Sequence, residues 1–522
     1  MKTSTLATCA TLLGAIALAP GAHGQGLELS TSPSRWRITY GEIEVNESED
    51  MGLLGIQYEL LEAFENWPGV FAGFGGYGSV AGDRGGFFSG GFSGGWRRQI
   101  PGDFFAEVGA FVGGGGGGAT SDGTGMMLRP FAALEREFGG LGVRLELAKT
   151  DFPGGEIDDT SLSFGLSIPG ELLAGRVATG WGAPIPMDAI DLERWRIGAG
   201  ALTIEPSSGA RTISGNAFGG DVSVAGLQLA AEISESSYIP IYAMGAVEGG
   251  VSGFATALGG YGRSGELGNP DLRWEVEGVA GMGGGGGVDT GGGLLLGASA
   301  GLRFRLAENW SAHASLGYLD APNGRFGGQT IGFGIGWDPR MLRLRPSYDR
   351  ANLATQQMPS HEGKLDVWQA SAHYKIYHPT RSTRTESGGK HDTNLQLAGV
   401  GFERHISEHA AVVIRTAGAV EGDISGYAEG TLGLRLSASP FESFPNCQLH
   451  GTYEVGAGGG GGIDVSSGMI HQATVGWLWA PKPGIELGLD LGRMEAFSDG
   501  SFEAEVVSVS FALDILRIIS AR

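Results

Sequence analysis

The sequence predicts an all-β protein of about 24 antiparallel strands, built from three repeats of about eight strands each. Three observations predict this fold. Apolar and polar residues alternate with a period of two through most of the chain. A run of consecutive glycines recurs three times, at Gly113–Gly118, Gly283–Gly287 and Gly458–Gly462. No segment after residue 30 offers the ~18 uninterrupted apolar residues of a membrane-spanning helix.

The glycine runs mark a repeat of roughly 170 residues. The second and third runs continue as Gly-Val-Asp, ending at Asp289, and as Gly-Ile-Asp, ending at Asp464. The same two units also share Gly-Ala-Val-Glu-Gly, at Gly245–Gly249 and Gly418–Gly422. We therefore place the repeat units at 27–169, 193–338 and 364–522, with connections at 170–192 and 339–363.

The last segment of each unit shows the alternation most clearly. Small or polar residues separate the apolar ones, which are Leu162, Phe164, Leu166 and Ile168; Ile331, Phe333, Ile335 and Trp337; and Val507, Val509, Phe511 and Leu513. Successive side chains of a strand point to opposite faces, so each segment has one apolar face and one small or polar face. Other segments carry charge on the second face, as Arg303 and Arg305 do between Leu302, Phe304 and Leu306.

The second unit divides into eight such segments, near 194–205, 221–233, 239–249, 253–263, 271–283, 293–306, 310–319 and 328–337. Tight turns such as Glu308-Asn309 alternate with longer connections rich in glycine, aspartate and proline. The glycine run then falls in the hairpin between the fifth and sixth strands. The preferred explanation is that glycine lets a hairpin bend sharply or lets backbones approach closely.

The start of the chain indicates where the protein is located, and its net charge indicates which partners are disfavoured. Lys2, the apolar run Leu12–Ala19 and Ala22-His23-Gly24 predict a secretory signal peptide over residues 1–24. If Cys9 leaves with it, Cys447 is the only cysteine and no intrachain disulfide forms. The net charge of −22 is spread along the chain, which disfavours nucleic acid as a partner.

Alternating strands, short turns on one side and an export signal together resemble a Gram-negative outer-membrane β-barrel. Such barrels pair every backbone group internally and alternate lipid-facing apolar with lumenal polar residues. Aromatic residues near strand ends suit an interfacial girdle; these are Trp36, Trp195, Trp310, Trp337, Trp479 and Tyr318. The resemblance implies location in the cell outer membrane and contact with its lipid. One departure is that the chain continues past Phe511 to Arg522, whereas such proteins usually end on an aromatic residue.

Two closures fit the pattern: one transmembrane barrel of about 24 strands, or three separate eight-stranded barrels. Many inward positions are Gly, Ser or Ala, which would leave a narrow barrel underfilled, so we expect the single barrel. The long connections between units favour three. Pairing of the strand near Trp36 with that of Phe511 would mean one barrel, and pairing with that of Phe164 would mean three.

The resemblance implies a porin-like channel for passive passage of small solutes or ions. Acidic residues on the non-lipid face would form a sparse carboxylate ring in a shared lumen and give a weak cation preference; they are Glu107, Glu275, Glu277 and Glu454. The competing explanation is that these are ordinary solvated residues with counterions such as Arg303. The alternative function is a non-transport structural or surface-interaction barrel. The oligomeric state is open.

We predict no catalytic, metal or cofactor site, and no enzyme. Gly-Gly-x-Gly-x-Asp at Gly284–Asp289 and Gly459–Asp464 is similar to the calcium-binding nonapeptide of RTX proteins, but that motif works in tandem and these copies are far apart. A phosphate-binding glycine loop needs a following helix and often a lysine. The densest histidines, His391, His405 and His409, suit solvated turns better than a ligand set.

Overall fold

A computed structural model of the chain describes residues 29–46, 49–61, 67–118, 125–175, 183–184, 190–307, 309–338, 340–344, 364–407, 409–422, 426–439, 446–482, 485–497 and 500–520. The predicted signal peptide, residues 1–24, lies outside this part of the chain. So do most of the connection predicted at 170–192 and residues 345–363 of the connection predicted at 339–363.

The described chain is all-β, and 24 of its strands form three consecutive sets of eight. The first set is β1 (Leu29–Asn46), β2 (Glu49–Leu60), β3 (Val70–Ala81), β4 (Phe88–Ile100), β5 (Phe104–Gly116), β6 (Met126–Phe138), β7 (Leu141–Asp151) and β8 (Asp158–Gly175). The second, after the short β9 (Ala183–Pro184), is β10 (Ile190–Pro206), β11 (Val222–Ser234), β12 (Ser237–Glu248), β13 (Ala255–Asn269), β14 (Leu272–Gly284), β15 (Leu294–Ala307), β16 (Trp310–Asp320) and β17 (Gly327–Trp337). The third, after the short β18 (Arg340–Leu344), is β19 (Lys364–Pro379), β20 (Leu395–Ser407), β21 (Ala410–Glu421), β22 (Ala428–Ala438), β23 (Cys447–Gly459), β24 (Met469–Lys482), β25 (Ile485–Ala496) and β26 (Glu503–Ser520).

Each set closes on itself through its first strand. Trp36 on β1 lies opposite Tyr58 on β2 and also opposite Ile168 on β8. In the second set, β10 pairs antiparallel with both β11 and β17. In the third, β19 pairs with both β20 and β26. The three rings are called barrel 1, barrel 2 and barrel 3 below. All-β antiparallel architecture in three eight-stranded units is therefore confirmed.

The structure does not confirm the expected single barrel of about 24 strands, because the strand pairings close within each set of eight, as the alternative of three eight-stranded barrels predicts. Tyr40 pairs with Phe164 inside barrel 1, whereas Phe511 pairs with Ala372 inside barrel 3. The expectation failed because inward glycines do not leave empty space. A Cβ on inward-facing Gly109 would lie only 2.7 Å from the ring of Phe131. Small residues instead make room for large side chains from elsewhere in the ring.

The two ends of the barrels differ. At one end, the turn end, most connections are short, such as those joining β6 to β7 at 139–140 and β13 to β14 at 270–271. At the other, the loop end, they are mostly longer, and the glycine runs lie there between the fifth and sixth strands, as predicted. Each of the eight segments predicted for the second unit overlaps one strand of barrel 2.

The barrels are apolar outside and polar inside. Along β7, Leu141, Val143, Leu145 and Leu147 are exposed, whereas the intervening Arg144 and Glu146 are buried. The same inversion runs through all three barrels and is typical of β-barrels whose solvent is lipid. Of the predicted girdle residues, Trp36 and Trp479 are about half exposed near the turn end, and Tyr318 is exposed near the loop end. Within the described residues, the chain has no helix of the length and apolarity that crossing a membrane requires.

Apolar residues reappear inside each barrel at its loop end. Three buried clusters form there, one per barrel. Each contains an edge-to-face aromatic pair made by the hairpins after the third and seventh strands; the pairs are Phe87–Phe152, Phe254–Phe326 and Tyr427–Phe502, with ring centroids 5.6, 5.5 and 5.7 Å apart. Each interior therefore has a charged middle and an apolar plug.

The first strand of each ring extends past the turn end, and in barrels 1 and 3 the last strand extends with it. β1 pairs with β8 as far as Leu29 and Gly175, and β19 pairs with β26 as far as Lys364 and Ser520. In barrel 2 the short β18 supplies the partner of the β10 extension. The backbones of the three extensions lie close to one another.

Candidate functional site: the barrel interiors

The four acidic residues singled out from the sequence lie on the fifth strand of their barrels, with largely buried side chains. Glu107 is on β5, Glu275 and Glu277 are on β14, and Glu454 is on β23. They occupy three separate interiors, so they do not form one carboxylate ring. Glu107 and Glu275 hold equivalent positions, because each lies eight residues before a glycine, Gly115 or Gly283, whose N–H makes the same hairpin bond.

In barrel 1, Glu107 lies at the centre of an ion-pair network. Its carboxylate lies 2.5 Å from Arg35, 2.5 Å from Arg144 and 2.9 Å from Arg97. Arg35 also reaches Glu59 at 2.7 Å. Further pairs join Arg37 to Glu59, Arg97 to Glu135, and Arg129 and Arg144 to Glu146. The network links residues of six strands, so it crosses the barrel from wall to wall.

Barrel 2 has fewer buried ion pairs. Glu275 pairs with Arg196 at 2.7 Å and with Arg303 at 3.2 Å. Glu277 instead accepts hydrogen bonds from the hydroxyls of Tyr242, at 2.7 Å, and Tyr238, at 3.2 Å. A cavity of about 30 Å³ lies beside these groups, with His313 and Gln228 also in its wall. That volume suits about one water molecule.

Barrel 3 divides its charges between one chain of ion pairs and two smaller groups. Glu454 pairs with Arg415 at 3.2 Å and accepts hydrogen bonds from Thr431 and Gln472. Arg415 also lies 3.3 Å from Glu403, which lies 2.6 Å from Arg435, so Glu454, Arg415, Glu403 and Arg435 form one chain of ion pairs. The two smaller groups are Glu429 with Lys375 at 2.8 Å and with the Tyr377 hydroxyl, which donates to it at 2.9 Å, and His450 with Asp490 at 2.5 Å.

The hairpins after the first strands of barrels 2 and 3 cover the mouths of these barrels. They are residues 207–221 and 380–394, called lids below, and both contain Arg-Thr-x-Ser-Gly. Ile213 N–H donates to Gly287 O and Glu386 N–H to Gly462 O, both at 2.8 Å, so each lid is bonded to the glycine run of its own barrel. The corresponding connection in barrel 1 has only two residues, 47–48.

The Gly-Val-Asp and Gly-Ile-Asp motifs help to fill and fasten the loop ends of barrels 2 and 3. Val288 and Ile463 are fully buried in the apolar plugs. Asp289 accepts from Arg325 at 2.6 Å, and Asp464 accepts from the N–H of Ser466 at 3.2 Å. The aspartates that suggested a calcium motif thus hold the hairpins together.

Several residues that fill the interiors were not singled out as candidate site residues from the sequence. The largest are the fully buried arginines Arg35, Arg37, Arg144 and Arg435. A detectable signal existed, because arginines at alternate positions of an apolar strand must share one face, as Arg35 and Arg37 do around the exposed Trp36. Of the three histidines considered, His391 lies in the lid of barrel 3, whereas His405 and His409 lie at the turn end. The structure therefore does not bring them together.

Comparison with known proteins gives structural likeness only. No family model matches the chain, and no curated protein matches it either. Among solved structures, OccK11 (OpdR) of Pseudomonas aeruginosa is 11% identical, with 96% of this chain and 100% of that chain covered, at a TM-score of 0.22. The siderophore receptor PirA from Acinetobacter baumannii is 9% identical, with 93% and 80% covered, at a TM-score of 0.26. A de novo designed transmembrane β-barrel is 14% identical and covers 28% of this chain and 94% of its own, at a TM-score of 0.19. At these values the likeness carries no argument about function.

Proposed function

We propose that the protein is an outer-membrane β-barrel assembly with a structural or surface-interacting role, in which the three barrels are filled and do not conduct. The observation that carries this proposal is the content of the interiors. Charged side chains joined by ion pairs occupy the middle of each barrel, and an aromatic pair with its apolar cluster occupies the loop end. Eight-stranded barrels with side-chain-filled interiors leave no aqueous passage.

The exterior supports a membrane location. Large apolar side chains remain exposed on strands of all three barrels, including Leu147, Phe164, Leu316, Phe333, Val475 and Leu489. Such a continuous apolar surface is far larger than the patches that soluble proteins expose. Tryptophans near the turn end suit the interface between lipid and water. By analogy with outer-membrane barrels, the loop end would face the cell exterior.

Conductance tests the filled state. We expect the purified full-length protein, inserted into planar bilayers, to give no stepwise current. Insertion is verified separately by protection of the strands from added protease. Reproducible current steps from the inserted wild-type protein would overturn the proposal.

Surface labelling tests location and orientation. In a Cys447→Ala background, Ser214→Cys lies in the exposed lid of barrel 2 and Glu235→Cys lies in a turn at the opposite end. We expect a membrane-impermeant maleimide to label Ser214→Cys in intact cells and Glu235→Cys only after lysis. Labelling of both or of neither in intact cells would contradict this arrangement.

Porin-like passage of small solutes, with or without cation preference, is the second candidate, and it stays a prediction. The observation that favours it is the charged interior, which a barrel needs if water and ions are to enter. Conduction would require the ion pairs and the plugs to open. Of the four acidic residues proposed to select cations, Glu107, Glu275 and Glu454 are each paired with arginine, and Glu277 accepts hydrogen bonds from hydroxyl groups. Current steps from the inserted protein would decide for this candidate, and the ion selectivity of that current would then test the cation preference.

A further inference from the structure

The glycine runs lie where the barrels meet. In each of three seams, the third strand of one barrel lies beside the fifth strand of another: β3 beside β14, β12 beside β23, and β21 beside β5. The same relation therefore joins barrel 1 to barrel 2, barrel 2 to barrel 3, and barrel 3 to barrel 1. An interface that uses two different patches on each unit can close into a ring, and here it closes after three units.

At the loop end, the hairpin after the third strand of one barrel sits on the glycine-rich hairpin of the next. The described residues of the glycine-rich hairpins are 113–118 with 125, 283–293 and 458–468, called polyglycine hairpins below. Gly85 N–H of barrel 1 donates to Gly291 O of barrel 2 at 2.7 Å. Gly426 N–H of barrel 3 donates to Gly115 O of barrel 1 at 3.2 Å. Ser79 Oγ of barrel 1 also donates to Gly292 O at 2.8 Å. Backbone thus bonds directly to backbone across two of the seams.

One glycine in each polyglycine hairpin is constrained by the neighbouring barrel. A Cβ on Gly292 would lie 2.6 Å from Ala81 Cα of barrel 1. One on Gly459 would lie 2.8 Å from Ser252 Oγ and 2.9 Å from Gly253 Cα, both of barrel 2.

Gly114 completes the set at the third seam. A Cβ there would contact the Val420 side chain and lie 2.9 Å from Ala419 O, both in barrel 3. Gly114, Gly292 and Gly459 do not adopt the left-handed backbone conformation that favours glycine. Their nearest obstacles belong to another barrel, so the fold of their own barrel does not explain the glycine.

We propose that the polyglycine hairpins are docking surfaces, each of which receives the hairpin after the third strand of a neighbouring barrel and so assembles the three barrels into one laterally packed ring. Glycine recurs there because the two backbones approach too closely for any side chain to fit between them. Lipid provides no hydrophobic drive for association between apolar surfaces, so close packing and interbarrel hydrogen bonds must supply it, as small residues do between membrane helices.

The proposal separates barrel association from barrel folding, and a cleavage experiment tests it on the full chain. Protease recognition sites are inserted into the connections at 176–182 and 345–363, and the purified, folded protein is cut at both. We expect the cut wild-type protein to elute from a size-exclusion column in detergent as one particle containing all three fragments.

The seam variant combines Gly114→Ala, Gly292→Ala and Gly459→Ala, one substitution per seam. After cutting, we expect its fragments to elute separately, with each fragment still migrating as a folded barrel on unheated gels. The matched control combines Gly94→Ala, Gly278→Ala and Gly430→Ala, one per barrel, at sites where a Cβ meets no atom closer than 3.6 Å. This control should elute as wild type does.

Three outcomes would overturn the proposal. The cut wild type could fall apart, which would show that the seams do not hold the barrels together. The cut seam variant could remain one particle, which would show that the glycines are dispensable for docking. Its fragments could lose the folded-barrel migration, which would assign the glycines to barrel folding instead.

Discussion

Barrels 1 and 2 are built on the same eight-stranded ring but are filled differently. In barrel 1, Glu107 meets three arginines within 2.9 Å. The equivalent Glu275 of barrel 2 meets two arginines, and a cavity of about 30 Å³ lies beside it. Barrel 1 has only a two-residue turn after its first strand, whereas barrel 2 has a 15-residue lid over its mouth. The same eight-stranded ring therefore accommodates different sets of interior side chains and different loops.

The difference shows where each barrel depends on charge. A buried ion pair adds little net stability relative to an apolar replacement, but removing one partner leaves the other charge buried without compensation. Where several arginines share one carboxylate, loss of that carboxylate leaves all of them buried without a compensating charge. Barrel 1 should therefore be sensitive to a single substitution that barrel 2 tolerates better.

The largest effect should follow Glu107→Gln. The substitution keeps the shape and removes the charge that Arg35, Arg97 and Arg144 share. We expect it to destabilise barrel 1 by about 3–5 kcal/mol, the usual cost of breaking a buried pair. Hydrogen exchange resolved by peptide measures this for each barrel separately, as a chain of three barrels need not unfold in one step. Unchanged protection of β5 and β6 would show that the network is not cooperative.

Glu275→Gln should cost less, about 1–3 kcal/mol. Arg196 keeps Asp338 at 3.9 Å and Arg303 keeps Glu232 at 3.6 Å, and water in the adjacent cavity, which Arg196 lines, can solvate the Arg196 guanidinium group. The same exchange measurement, read on β14 and β15, gives the value. A loss equal to that of Glu107→Gln would remove the contrast between the two barrels.

Glu277→Gln should be nearly neutral, within about 1 kcal/mol. The partners described for Glu277 are the hydroxyls of Tyr242 and Ser299 at Oε1 and of Tyr238 at Oε2. In glutamine the amide oxygen can accept from Tyr242 and Ser299, and the amide NH2 can donate to the Tyr238 hydroxyl. The substitution lies two residues from Glu275 on the same strand, so it serves as the matched control for the previous variant. A large loss of protection in β14 would mean that the Glu277 charge has a structural role.

The sequence predicted the strands well because their signals are local. Alternation of Leu, Val and Ile with polar residues on β7, and turn residues such as Gly139 and Gly140, depend only on neighbours in the chain. The glycine hairpin was also placed correctly between the fifth and sixth strands. These features need no knowledge of what lies across the barrel.

Closure and filling could not be predicted, because they depend on contacts between distant residues. The period of two is the same in a barrel of eight strands and in one of 24, so the partner of Trp36 is not encoded locally. Arg35 and Glu107 are 72 residues apart, and nothing in either strand shows that their side chains meet. Likewise, the obstacle at Gly459 is Gly253, which belongs to another barrel.

The smallest predicted effect is a pH dependence of lid closure, and it distinguishes the lid of barrel 3 from that of barrel 2. The lid of barrel 2 places Ile213 at the position where the lid of barrel 3 places Glu386. Partial burial, and then the negative charge of Asp464, raise the pKa of Glu386 above its ordinary value. A carboxyl group with a raised pKa in the closed lid favours closure when it is protonated. Closure of this lid should therefore be strongest below the ordinary pKa of 4.5 and weaken as the pH rises through the raised value.

Hydrogen exchange of the lid peptides 380–394 and 207–221, measured at several pH values and corrected for the intrinsic exchange rate, tests this prediction. We expect the protection of the barrel 3 lid to fall with rising pH while that of the barrel 2 lid stays constant across the same range. Glu386→Gln should remove the pH dependence and keep the backbone bond from residue 386 to Gly462 O. Equal pH profiles for the two lids would show that Glu386 does not control closure. The difference between Ile213 and Glu386 would then have no effect on how the lids respond to pH.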